Sequence, residues 1–169
     1  MNKPSIQDPT MPNETLLDLV CLSEQDTAAF AARLAAHLET GSLVALTGDL
    51  GAGKSTLARA FIRARLEDDE AEVPSPTFTL VQTYDAPDGT EVWHADLYRL
   101  TDPEEVYELG LDEARDDAIC LIEWPDRMPE SWWQDALEIT LEIGDAGARQ
   151  LSLRGDKTRW SKLVAEVAA

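Results

Sequence analysis

The chain has 169 residues, enough for one domain with a real hydrophobic core and too few for two of ordinary size. Its 14 lysines and arginines stand against 33 aspartates and glutamates, a formal charge of -19 that repels polyanions and argues against an extended nucleic acid as direct ligand. Two cysteines without a paired C-x-x-C motif, and no apolar run near the ~18 residues of a membrane helix, point to a soluble cytoplasmic protein with buried, reduced thiols.

Residues 1–14, MNKPSIQDPTMPNE, are polar and proline-bearing; they read as a disordered leader without signal-peptide character, ahead of a single domain over 15–169. TLLDLVCL (15–22) predicts a first strand, and SEQDTAAFAARLAAHLETG a helix capped by Ser23 and stopped at Gly41. His37 lies on that helix and is expected at its surface. A short apolar run, Ser42 to Thr47, precedes GDLGAGKST, and Leu57, Ala60, Phe61 and Ala64 then recur at helical spacing up to Leu66. The acidic runs EDDEAE (67–72) and DEARDD (112–117) read as solvated loops or helix faces.

Thr77 to Tyr84 is rich in β-branched and aromatic residues, Pro87-Asp88-Gly89 is a turn, and Val92 to Ala95 resumes as strand, which predicts a hairpin. TDPEEVYELG predicts a short helix with Thr101 and Asp102 as caps, Pro103 at its first position and Gly110 as terminator. DAICLIEWPD is a buried strand run broken at Glu123. ALEITLEIG and ARQLSLRG alternate with period two and form a second hairpin, and DKTRWSKLVAEVAA closes as a helix. Trp132 and Trp133 are expected to cover core. The fold class is α/β: a P-loop NTPase-like three-layer fold whose central sheet is mixed, partly parallel and edged by antiparallel hairpins.

Gly48, Gly53, Lys54 and Ser55 match G-x-x-x-x-G-K-[ST], in which successive backbone N–H groups curl around phosphate oxygens. Strand, loop and helix follow in the order that motif requires, so Leu50, Gly51, Ala52, Gly53, Lys54, Ser55 and Thr56 form the expected phosphate cradle. Lys54 would reach the β- and γ-phosphates and the Ser55 hydroxyl would ligate Mg²⁺. Such a site needs carboxylates from the ends of neighbouring strands. Glu123, ending AICLIE, and Asp96, ending VWHA, both qualify as metal-side acids, and Glu123 also as the base that orients water. Thr77 and Thr79, stiffened by Pro74 and Pro76, could deliver a switch-like hydroxyl; His94 is a supporting candidate, and Trp124 a lid or partner-contact aromatic.

GDLGAGKST, SPTFTLVQTY, HADLYRL, ELGLDE and LIEWPDR, in this order and spacing, resemble the TsaE family, small P-loop ATPases of bacterial tRNA threonylcarbamoyladenosine synthesis. The resemblance covers about Ser23 to Asp126 and implies an ATPase that works with TsaB and TsaD. TsaD is then the enzyme that modifies adenosine 37 in tRNAs reading codons that begin with A. It further implies Lys54 and Ser55 as the Walker A pair, Thr77 as the switch-like threonine, Asp96 as the Walker B-like acid, and Glu123 with Trp124 as second acid and aromatic neighbour. The adenine would lie near the start of the first helix, Glu24 to Thr27, and a C-terminal basic residue aligned to Arg149. An acidic subunit fits an ATPase that docks on a partner and meets tRNA only through it.

Two rivals are a small-molecule P-loop kinase and a GTP-dependent switch. The kinase would bring lid arginines, where this chain has EDDEAE. The guanine-reading Asn-Lys-x-Asp signature has no source, since the only asparagines are Asn2 and Asn13.

Overall fold

The computed structural model describes residues 13–168. Of the expected leader, residues 1–12 lie outside the described residues, whereas Asn13 and Glu14 already belong to the first strand, β1 (Asn13–Cys21). Helix α1 (Glu24–His37) starts at the Ser23 cap, whose hydroxyl accepts the Asp26 N–H, and ends ahead of Gly41. Strand β2 (Leu43–Gly48) leads through the glycine-rich loop into α2 (Lys54–Leu66). Next come β3 (Val81–Asp85), β4 (Glu91–Asp96), the short helices α3 (Glu105–Glu108) and α4 (Leu111–Asp117), β5 (Ile119–Glu123), β6 (Leu137–Ile143), β7 (Arg149–Asp156) and α5 (Lys157–Val167).

Among the described residues seven strands make one sheet, in the order β1-β7-β6-β2-β5-β4-β3. β6, β2, β5 and β4 run parallel, and the hairpins β3–β4 and β6–β7 add antiparallel partners on either side, as the patterning predicts. Alternation along β2 and β5 explains the layers. Val44, Leu46, Ile119 and Leu121 pack under α1, α2 and α5, while Leu43, Ala45, Cys120 and Ile122 face Val106 of α3, Leu111 of α4 and the two tryptophans 132 and 133. These central strands are buried on both faces, which is why they read as continuous apolar runs. The wing β6-β7-β1 buries only its Leu137, Ile139, Leu141, Leu151 and Leu153 side in the first of these cores.

Two expectations change. The strand expected from Thr77 begins at Val81, because the Leu80 N–H donates to the Pro76 carbonyl at 2.7 Å and Leu80 itself takes a left-handed φ of +73°. Two prolines without N–H donors favour that turn over a ladder. The helix expected after Thr101 shrinks to one turn, since Pro103 stays outside it and the Glu105 carboxylate accepts the Thr101 and Asp102 N–H groups, both at 2.9 Å. Gly110 does end that turn, and it opens α4 from the run DEARDD, whose Ala114 is buried.

Cys21 and Cys120 are free and buried. Burial pushes the Cys120 thiol up to about 12, and that of Cys21 upward too, so both stay neutral thiols at ordinary pH. Among the described residues, no helix is long and apolar enough to cross a membrane.

Candidate active site

β2 delivers the loop at the carboxyl ends of the parallel strands, where open α/β sheets bind ligands. Gly48 pairs with Leu141 of β6, and a Cβ there would lie 2.6 Å from the Leu141 carbonyl oxygen. A backbone oxygen cannot swing aside, so Gly48→Ala should destabilise the fold by about 1–3 kcal/mol, read as a lowered urea midpoint. An unchanged midpoint would show that the loop can lift from β6 freely. Gly53, at φ +113°, is the N-cap of α2 and contributes no side-chain cap, which leaves the first amides of the helix available to an anion.

The register sets the acids. β4 and β5 pair Asp96 with Glu123, and β5 and β2 pair Glu123 with Leu46, so two buried carboxylates stand side by side next to the root of the loop. Each is held. Asp96 accepts the Tyr98 N–H at 2.9 Å on Oδ1 and the Thr77 hydroxyl at 3.1 Å on Oδ2. Glu123 meets the Ser55 hydroxyl at 3.4 Å through Oε1 and His94 Nε2 at 2.7 Å through Oε2. The Pro76–Leu80 turn is what aims Thr77 inward, whereas exposed Thr79 accepts from Gln82 Nε2 at 2.9 Å instead.

Lys54 is buried, and its ammonium donates to the carbonyls of Gly48 and, at 3.3 Å, Asp49. It lies 5.2 Å from the Trp124 ring centroid, close enough for cation–π attraction. Among the described residues Lys54 has no salt bridge, so no carboxylate lies in direct contact with its ammonium. Trp124 itself holds φ +57°, a left-handed conformation that a bulky residue adopts only under constraint. Tyr98 supplies part of it, with its ring tilted against the indole at 4.8 Å between centroids.

Ten expected residues line one cavity of about 490 Å³: Leu50, Gly51, Gly53, Lys54, Ser55, Thr56, Thr77, Asp96, Glu123 and Trp124. Tyr98 completes the lining, and sequence reasoning missed it, although an aromatic two residues beyond a strand-ending acid was the signal available. Ala52 sits buried behind the loop. Arg149 does not enter the lining; its Nε donates to the Ala52 carbonyl at 2.8 Å and its other nitrogens to the carbonyls of Gly147, Ala148 and Gly51, so it braces the loop. Glu24 and Thr27 also stay outside the cavity, Thr27 with its hydroxyl 3.4 Å from the Ser23 carbonyl. The Cys21–Arg149 pairing of β1 and β7 nonetheless brings the start of α1 toward the braced loop. His37, at the surface, pairs with Glu166 at 2.7 Å.

The donor set around the cavity is all oxygen: the hydroxyls of Ser55 and Thr77 and the two carboxylates. Among the described residues no group of three or more His, Cys, Asp and Glu converges as a protein-only metal cage. Hydroxyl plus one or two carboxylates is the partial shell that suits Mg²⁺, which keeps waters and takes phosphate oxygens for the rest.

The family profile described as "Threonylcarbamoyl adenosine biosynthesis protein TsaE" matches residues 21–151. A tRNA threonylcarbamoyladenosine biosynthesis protein TsaE of Rickettsia bellii is 39% identical over 134 residues, 79% of this chain and 92% of that protein. Its namesake in Bacillus subtilis is 32% identical over 149 residues, 87% of this chain and 90% of the relative. The crystal structure of Bacillus subtilis YdiB superposes with a TM-score of 0.69 at 25% identity, covering 92% of this chain and 95% of that one.

Proposed function

Since the chain belongs to the TsaE family, and so serves the biosynthesis of threonylcarbamoyladenosine in tRNA, we propose that its part is to bind and hydrolyse ATP. One observation carries the reading. A buried Lys54 without a direct ion pair and two hydrogen-bonded carboxylates, Asp96 and Glu123, line the same cavity as the glycine-rich loop.

In this reading the loop amides and Lys54 hold the β- and γ-phosphates, a cradle of fixed partial and full positive charge. Ser55, Asp96 and Glu123 form the magnesium side of the site, where the ion would neutralise charge on the transferring phosphoryl group. Thr77 answers to the phosphate end through its bond to Asp96. Glu123, with one oxygen toward Ser55, orients the attacking water and accepts its proton. Trp124, with Tyr98 against its ring, covers Lys54 from one side and would keep bulk water from the phosphates. Arg149 steadies the loop from behind, and the adenine is assigned to the neighbourhood of Glu24 and Thr27.

The proposed partners are TsaD and TsaB, with tRNA reached only through them. A net charge of -19 supports this arrangement, because it repels a polyanion at long range. Phosphate release from ATP with Mg²⁺, by the protein alone and with TsaB and TsaD, tests the whole reading. Turnover that rises with both partners is expected; nucleotide binding without any partner effect would favour a small-molecule kinase instead.

A further inference from the structure

His94 is buried in β4 with 2% of its surface exposed, two residues before Asp96 and on the same face of the strand. Register places it beside Leu121 of β5, two residues before Glu123, and its Nε2 reaches Glu123 Oε2 at 2.7 Å. The other ring nitrogen, Nδ1, is buried without a hydrogen-bond partner. These two facts choose the tautomer. With the ring proton on Nε2, the imidazole donates to the carboxylate and Nδ1 keeps only a lone pair; with the proton on Nδ1, a buried N–H would be orphaned, which is the rarer defect in folded proteins.

We propose that His94 is a positioning residue: its Nε2–H occupies Oε2 of Glu123 and thereby turns Oε1 toward Ser55 and the cavity. A glutamate at a strand end, such as Glu123, has two rotatable side-chain bonds beyond χ1 and two equivalent oxygens, so burial alone does not orient it. A donor fixed on the neighbouring strand does. The arrangement parallels the way carboxylate partners orient the ligands of metal sites, here with the roles exchanged. Asp96 has its own donors in Thr77 and the Tyr98 amide, so each acid is aimed by a different part of the chain. The inference rests on the ATPase reading for its catalytic meaning, and on geometry alone for the tautomer.

Only two histidines exist in the chain, so ¹⁵N-imidazole NMR of the full protein resolves both. His94 is expected as a single Nε2–H tautomer with a slowly exchanging proton, and Glu123→Gln should move that signal while leaving that of His37 in place. A proton on Nδ1, or a His94 signal indifferent to Glu123→Gln, would overturn the proposal. Turnover gives the second readout: His94→Leu should lower kcat about 10- to 100-fold while the nucleotide KM stays within about threefold. His94→Gln, whose amide nitrogen can reach the same carboxylate, should recover most of that loss. Equal kcat in the Leu variant and the unaltered chain, or a folded Gln variant no better than Leu, would reduce His94 to a packing residue. If the unaltered chain hydrolyses no ATP under any condition, the ATPase reading fails, and the tautomer result still decides whether His94 aims Glu123.

Discussion

Lys54→Ala is expected to remove ATP hydrolysis by about 10²- to 10³-fold or more and to weaken nucleotide binding alongside it. The ammonium sits at the mouth of α2, is compensated by no salt bridge among the described residues, and is already gathered against the loop by the Gly48 and Asp49 carbonyls. It is therefore preorganised for phosphate and has no other charged partner to release. Its structural contribution is small by comparison, because the carbonyls it leaves belong to half-exposed Gly48 and exposed Asp49, where water can reach them. Calorimetric titration of a nonhydrolysable ATP analogue, with a thermal melt as control, separates the two effects. A variant that binds and turns over as before would deny the loop its phosphate role.

Glu123→Gln should behave differently. The amide keeps the shape and can still accept from His94 through its oxygen, but it can neither take a proton from water nor offer charge to a metal ion. Binding within about threefold of the unaltered chain, with hydrolysis down about 10²- to 10⁴-fold, is the expected pattern. Single-turnover phosphate release measures it directly. Hydrolysis that survives would transfer the water-activating role to Asp96, among the described residues the only other buried carboxylate lining the cavity. Combining Glu123→Gln with His94→Leu should cost little beyond the worse single change, since residues that act as a unit are not additive.

The glycine-rich loop between strand and helix was legible because its pattern is local: four residue types at fixed spacing between an apolar run and a helical one. Strand-ending acids were legible for the same reason, as Asp96 and Glu123 each close a run of buried residues. What one-dimensional reading lacked was register. That Asp96 lies directly across from Glu123, and that Arg149 grips the carbonyl of Ala52, depend on ladders between strands separated by tens of residues. Thr77 stands out in the sequence for its hydroxyl, although the expected strand around it is a turn; two prolines outweigh the β-branched composition. Tyr98 escaped notice because its role is to press on Trp124, and ring contacts leave no trace in spacing.

The sheet is covered unevenly, with β2 and β5 enclosed on both faces and the β6-β7-β1 wing on one. Thermal fluctuation will open such a molecule from its margins, so β1 and β3 fray in small, frequent excursions while β2 lets go only when the whole domain does. The loop and Glu123 hang from those last-opening strands, and Asp96 from the next one outward. Groups that must agree closely in position for hydrolysis are thus anchored where local unfolding is rarest.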